Sequence, residues 1–175
     1  MSTTEHAPLI KRVTAAAALA VTVLALNGCG VQTLNERSKP TITLDQAKKQ
    51  IDTYLADTLA KLPVKPTASS SDFFDMECDA NDIGPHGRTQ THRGYDFEDL
   101  PLSGRTEVAD AFRVYLTGQG FQPVEDPPGF HPGWVKLKNP KDNFLAVLDG
   151  ATDSSRLLKL TVSSPCVWPD GTPPA

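Results

Sequence analysis

Apolar positions change their spacing several times along this chain, and each change predicts an element. Residues 13–26 (VTAAAALAVTVLAL) form an apolar run without a charge. From residue 44 onward Leu44, Ala47, Ile51, Tyr54, Leu55, Leu59 and Leu62 recur at helical spacing, with Lys48, Lys49, Asp52 and Asp57 on the opposite side. Thr43 followed by Gln46 is a capping-box start, and Pro63 is the stop. A second helix is expected over 102–120, with Val108, Ala111, Phe112, Tyr115 and Leu116 as its apolar stripe. Ser103 is its expected N-cap, and Gly118 or Gly120 its end.

In the last third the period falls to two. Residues 134–138 and 156–163 alternate, 144–148 is an apolar run, and turn residues at 139–142 and 150–155 separate them. This predicts a three-stranded antiparallel meander. With a loop at 139–142, Leu137 faces Phe144 and Val135 faces Ala146, so these four share the core side. Trp134, Lys136 and Lys138 then lie on the other side with Leu145 and Val147. Residues 89–97 have strand character with Tyr95 and Phe97 on one side, and 73–78 carries a weaker strand signal. Residues 121–124 suit a brief edge strand, because Pro123 lacks the N–H that a central strand needs. The expected fold is α+β: two helices on one face of a mainly antiparallel sheet of four to five strands.

The amino terminus has a different logic. Residues 1–12 are polar and end in Lys11-Arg12, and the 14-residue apolar run that follows is short of the roughly 20 residues a spanning helix needs. It fits the core of an export signal. Leu26-Asn27-Gly28-Cys29 closes it. This tetrad resembles the lipobox of bacterial lipoproteins, which has an aliphatic residue at −3, small residues at −2 and −1, and cysteine at +1. Leu26, Gly28 and Cys29 match, while Asn27 departs at −2, the loosest position. The resemblance implies cleavage before Cys29 and acylation of its sulfur, and two or more acyl chains anchor a protein durably. The chain as a whole resembles small actinobacterial lipoproteins of unassigned role, through its layout and the Ser164-Pro165-Cys166-Val167-Trp168-Pro169 segment. The expected organisation is a signal peptide at 1–28, a tether at 29–40 and one α+β domain at 41–175 with an extended Pro-rich tail. The expected location is the outer side of the cytoplasmic membrane.

Removing 28 of 175 residues leaves 147 with 15 basic and 20 acidic side chains. A net charge of about −5 gives no whole-molecule case for nucleic acid. With Cys29 acylated, Cys78 and Cys166 are left, and an exported protein is expected to join them. The alternative, a reactive or metal-binding thiol pair, lacks a Cys-x-x-Cys spacing or a nearby histidine.

Motifs for chemistry are sparse. The acidic stretch Asp72, Asp75, Glu77, Asp79 and Asp82 begins like a calcium loop, but Ile83 at position 5 and Gln90 at position 12 break the pattern. It is read as a solvated loop, with a weak calcium site as the alternative. His86, His92 and His131 match no zinc spacing and are read as surface or turn residues. No serine stands in a recognisable partnership with a histidine, and no nucleophile elbow, P-loop or dinucleotide fingerprint occurs. Adjacent carboxylates at Glu98-Asp99 and Glu125-Asp126 lack the surroundings that tune an acid or base. Trp168, two residues beyond Cys166, is expected to pack over the disulfide. The constellation that suggests contact with a partner is Trp134 with Lys136 and Lys138, since an aromatic rimmed by lysine stems suits anionic or amphipathic groups. The expected function is therefore a lipid-anchored, non-enzymatic binding module with an envelope protein or ligand as partner, and no cofactor, metal or nucleic acid. The alternative is a cell-surface hydrolase whose two carboxylates carry no sequence signature.

Overall fold

The computed structural model describes residues 38–65, 72–78, 87–98, 100–125, 134–152 and 157–173. The expected signal segment at 1–28, the lipobox-like tetrad with Cys29, and His86 and His131 lie outside them. Among the described residues, no helix is long and apolar enough to cross a membrane.

Helix α1 spans Leu44–Lys61. Its capping box forms as the sequence predicts: Gln46 N–H donates to the Thr43 hydroxyl at 3.1 Å, and Thr43 N–H donates to the Gln46 side chain at 2.9 Å. Ala47, Ile51 and Leu55 are buried along one stripe. Helix α2 spans Leu102–Gly118 and buries Val108, Phe112 and Leu116 from the expected stripe. Its start differs from expectation. Pro101 holds the cap position with φ −65° and no side-chain hydrogen bond, and Ser103 stands inside the first turn. The proline ring presets φ, and the Gly104 N–H that a capping hydroxyl would take donates to Pro101 O at 3.0 Å instead. At the other end Gly120 takes φ +90°, a conformation glycine enters without steric cost.

Strands β1 (Phe74–Glu77), β2 (Thr89–Phe97), β3 (Gln122–Pro123), β4 (Val135–Lys138), β5 (Leu145–Asp149) and β6 (Leu158–Ser163) form one sheet in the order β1-β2-β6-β5-β4-β3. Every neighbouring pair is antiparallel. The fold is α+β as expected, but the sheet has six strands instead of four to five. The two weakest strand signals both form and close the sheet as its short edges: β1, exposed along its whole length, and the two-residue β3. Edge strands need no apolar alternation, which is why their sequence signal is weak.

The meander forms with a corrected register. The turn is residues 140–143, closed by Asn139 N–H donating to Phe144 O at 2.9 Å, with Asn143 at φ 63°. Val135 therefore pairs with Leu148 and Leu137 with Ala146. Relative to the expected pairing, each residue of β4 meets a partner two places further along. A two-residue shift keeps every side chain on its predicted face, where a one-residue slip would exchange them.

The core lies between the helices and one face of the sheet. Leu158, Leu160 and Val162 of β6, Ala146 and Leu148 of β5, and Leu137 of β4 meet Ile51, Leu55, Val108 and Phe112 there, all nearly inaccessible. Each large apolar side chain buried in this way contributes about 1.5–3 kcal/mol. Among the described residues, every member of this core falls between Ala47 and Val167.

Cys78, just after β1, is bonded to Cys166, just after β6, across 88 residues of sequence. Alongside the bridge, Cys78 N–H donates to Arg88 O, and Thr89 and Val167 exchange backbone hydrogen bonds of 2.8 and 2.9 Å. Residues 164–173 pack on the domain: Thr41 N–H donates to Gly171 O and Leu44 N–H to Pro169 O. Trp168 is buried, and its hydrogen bonds run to the incoming chain. Its backbone N–H donates to the Thr41 hydroxyl and its indole N–H to Lys39 O.

Candidate functional site

Side-chain alternation leaves a second sheet face that no described helix covers. Three cross-strand rows on it follow from the register. The first runs across all six strands as Phe74, His92, Ser163, Leu145, Lys138 and Gln122. The second is Gly94, Thr161, Val147 and Lys136, and the third is Asp96, Lys159 and Asp149.

Trp134, Lys136 and Lys138 are brought together at the β3–β5 end of this face. The Lys136 ammonium lies 4.7 Å from the centre of the Trp134 ring, within cation–π range. Val147 and Leu145 are their half-buried neighbours on β5, and Val124, whose N–H donates to Lys136 O, adds an exposed aliphatic group. The result is a shallow apolar floor under two ammonium groups. At the β1 edge the same face presents Phe74, 63% exposed, and Met76, 47% exposed. In between, Gly94 is required by close approach, because a Cβ there would sit 2.5 Å from Leu160 O.

His92 corrects two sequence expectations. It is a half-buried strand residue instead of a surface or turn one, and its Nδ1 lies 2.6 Å from the Ser163 hydroxyl. A histidine–serine contact therefore exists where the sequence suggested none. It is not arranged for acyl transfer. Ser163 is only 4% exposed, and the serine faces Nδ1 while the buried Nε2 has no hydrogen-bond partner among the described residues. Burial pulls the His92 imidazole below its usual value, partly offset by the Asp75 carboxylate. A neutral imidazole hydrogen-bonded to a serine joins β2 to β6 from the open side.

Of the acidic residues, Asp75 lies on the helix-covered face and pairs with Lys48 at 2.9 Å. Glu77 is exposed on β1, and Asp79 and Asp82 are outside the described residues. Among the described residues, no group of three or more His, Cys, Asp or Glu side chains is placed to hold a metal ion. The open face does carry two carboxylates in one row, Asp96 and Asp149, on strands either side of β6. Lys159 stands between them with its ammonium 3.7 Å from Asp96, so the pair does not frame a common space for a sugar or water.

One further connection carries structural weight. Tyr54 of α1 donates to the Asp142 carboxylate at 2.5 Å and accepts from the Asn139 amide at 3.2 Å. Its ring packs edge-on against Phe121 and Phe144. Burial, with the neighbouring Asp142 charge, pushes its hydroxyl up to about 12. The β4–β5 turn is thereby fixed to α1. Comparison with known protein families, with curated proteins and with solved structures finds no match.

Proposed function

We propose that this protein is a lipid-anchored module of the cell envelope, held by acylated Cys29 on the outer side of the cytoplasmic membrane, which binds an envelope partner through the open face of its sheet. The observation that carries the binding reading is the pairing of Trp134 with Lys136 beside Lys138, over Leu145 and Val147. An aromatic and two lysine stems on an apolar strand floor offer contact area at low conformational cost, and the ammonium groups select acidic or amphipathic partners. The anchoring reading is supported by the signal-like amino terminus and the lipobox pattern at Cys29.

Two experiments test the halves separately. Mass spectrometry of the membrane fraction is expected to find a chain starting at Cys29 with acyl mass on it, and Cys29→Ser is expected to move the protein out of that fraction. A fractionation unchanged by Cys29→Ser would remove the anchor. For the face, the double variant Trp134→Ala, Lys136→Ala is expected to lose partner recovery in crosslinked envelope pull-downs at nearly unchanged melting temperature. Identical recovery would remove the site.

A further inference from the structure

The two edges of the sheet are finished differently. The β3 edge is two residues long and carries Pro123, and both features blunt an edge against further pairing. The β1 edge spans Phe74–Glu77 without a proline, and every residue in it is exposed.

The register fixes which backbone groups β1 turns outward. Cys78 N–H donates to Arg88 O at 3.0 Å, so these two form a hydrogen-bonded pair of the antiparallel ladder. Alternation makes Met76–Gln90 and Phe74–His92 the next such pairs. On the other side of β2, Thr89 exchanges its bonds with Val167, and Thr91 O accepts from Ser164 N–H. Asp75 and Glu77, which stand opposite Thr91 and Thr89, therefore aim their N–H and C=O groups away from the sheet. Among the described residues, no backbone group meets them there.

The strand is fixed in place before anything joins it. The Cys78–Cys166 bond pins its end, Lys48 of α1 pairs with Asp75, and Phe73 packs under Lys48 and Arg93. A preformed edge lowers the ordering cost of binding. Its side chains are sorted by face: Phe74 and Met76 on the open side, Asp75 and Glu77 on the other. Asp75 is already engaged by Lys48, whereas the exposed Glu77 carboxylate enters no ion pair among the described residues. Joining the outward groups of Asp75 and Glu77 to those of a second copy would set carboxylate against carboxylate, and like charges directly opposite are destabilising.

We propose that β1 takes up an extended segment of a partner protein as an added strand, with apolar side chains against Phe74 and Met76 alternating with basic ones against Glu77 and Asp75. Main-chain hydrogen bonds to Asp75 and Glu77 supply affinity, and the alternation supplies specificity. Four strand spacings, about 19 Å, separate β1 from β4, so this edge stands apart from the Trp134 grouping and does not depend on it.

The test uses the full chain in mild detergent and a fluorescent, acetylated octapeptide that alternates valine with lysine. One comparison peptide alternates valine with glutamate, and another carries its lysines and valines in two blocks. Saturable binding of the first, about tenfold tighter than either comparison, is expected from anisotropy. Hydrogen exchange is expected to slow on binding at the amides of Asp75 and Glu77, and little at Met76, which β2 already holds. Glu77→Pro removes an outward N–H and no bond to β2, and is expected to weaken the peptide about tenfold at nearly unchanged melting temperature. Glu77→Lys keeps the backbone and is expected to reverse the preference between the lysine and glutamate peptides, while the remote Arg113→Ala leaves it unchanged. Equal affinity for either comparison peptide would overturn the alternating basic partner. Indifference to Glu77→Pro, or slowed exchange confined to other strands, would overturn the edge itself. A concentration-dependent dimer that Glu77→Pro dissolves would overturn the partner strand in favour of a second copy.

Discussion

The two faces of the sheet are built from the same strands and share every backbone hydrogen bond, yet they answer to different constraints. The covered face is aliphatic wherever α1 and α2 press on it, through Leu137, Leu148, Leu160 and Val162. Two charged exceptions on it are paired: Asp75 with Lys48 and Arg93 with Asp52, with both cations packed over Phe73. The open face mixes lysine, threonine, serine, histidine and aspartate with Leu145, Val147 and Trp134, and no described helix closes over it. A face selected only for solubility would not gather Trp134, Val147 and Leu145 beneath two lysines. A face selected only for stability would not leave Phe74 and Met76 exposed. The contrast teaches that the packing that stabilises the domain lies on one side of this sheet, which leaves the other side to the proposed recognition.

The largest expected effect breaks the frame that both faces share. Replacing Cys78 and Cys166 with alanine removes an 88-residue closure, for which the chain-entropy relation gives about 4–5 kcal/mol. Denaturant unfolding with and without reductant checks it. The comparison itself comes next. Phe112→Ala, in the covered core, is expected to cost about 3–5 kcal/mol. Val147→Ala, half-buried on the open face, is expected to cost under about 1 kcal/mol. Similar losses at the two positions would erase the distinction between the faces.

Smaller effects sharpen it. Tyr54→Phe is expected to cost about 1 kcal/mol at neutral pH, because the Asp142 carboxylate loses its donor. The tyrosine hydroxyl ionises near 12 in the folded protein and at its ordinary value of 10 when unfolded. The folded state therefore holds this proton more tightly, and the associated stability, complete below pH 10, is lost as pH rises towards 12. The phenylalanine variant is expected to lack that alkaline decline. His92 gives the opposite slope. Its folded value lies below the ordinary 6.5, so the folded state binds the proton less well. Stability present above pH 6.5 is lost as pH falls, and His92→Gln is expected to flatten this slope in melting curves.

Local patterns made much of this fold legible. The capping box at Thr43 and Gln46, both helical stripes and the meander each follow from residues close in sequence or from one periodicity, and the Cys78–Cys166 pair from a count of three cysteines with Cys29 set aside as the expected lipid site. What escaped depends on pairings distant in sequence. Arg93 is a polar residue on the covered face because Asp52 of α1 receives it, so β2 does not read as an alternating strand. His92 meets Ser163 because β2 and β6 are neighbours although 60 residues separate those strands. The Trp134 grouping was visible because i, i+2 residues of a strand share a face whatever the register. The hairpin register was not visible, because the Asn139–Phe144 closure depends on Asn143 adopting a positive φ.

The central claim is that the open face, and not the helical side, meets the partner. Site-specific photocrosslinkers placed at Lys138 on the open face and at Val114, 75% exposed on α2, test it on intact cells. The account predicts a discrete crosslinked species from position 138 that disappears when Trp134→Ala is added, with none from position 114. Equal yields from the two positions, or a species from 138 that survives Trp134→Ala, would contradict it.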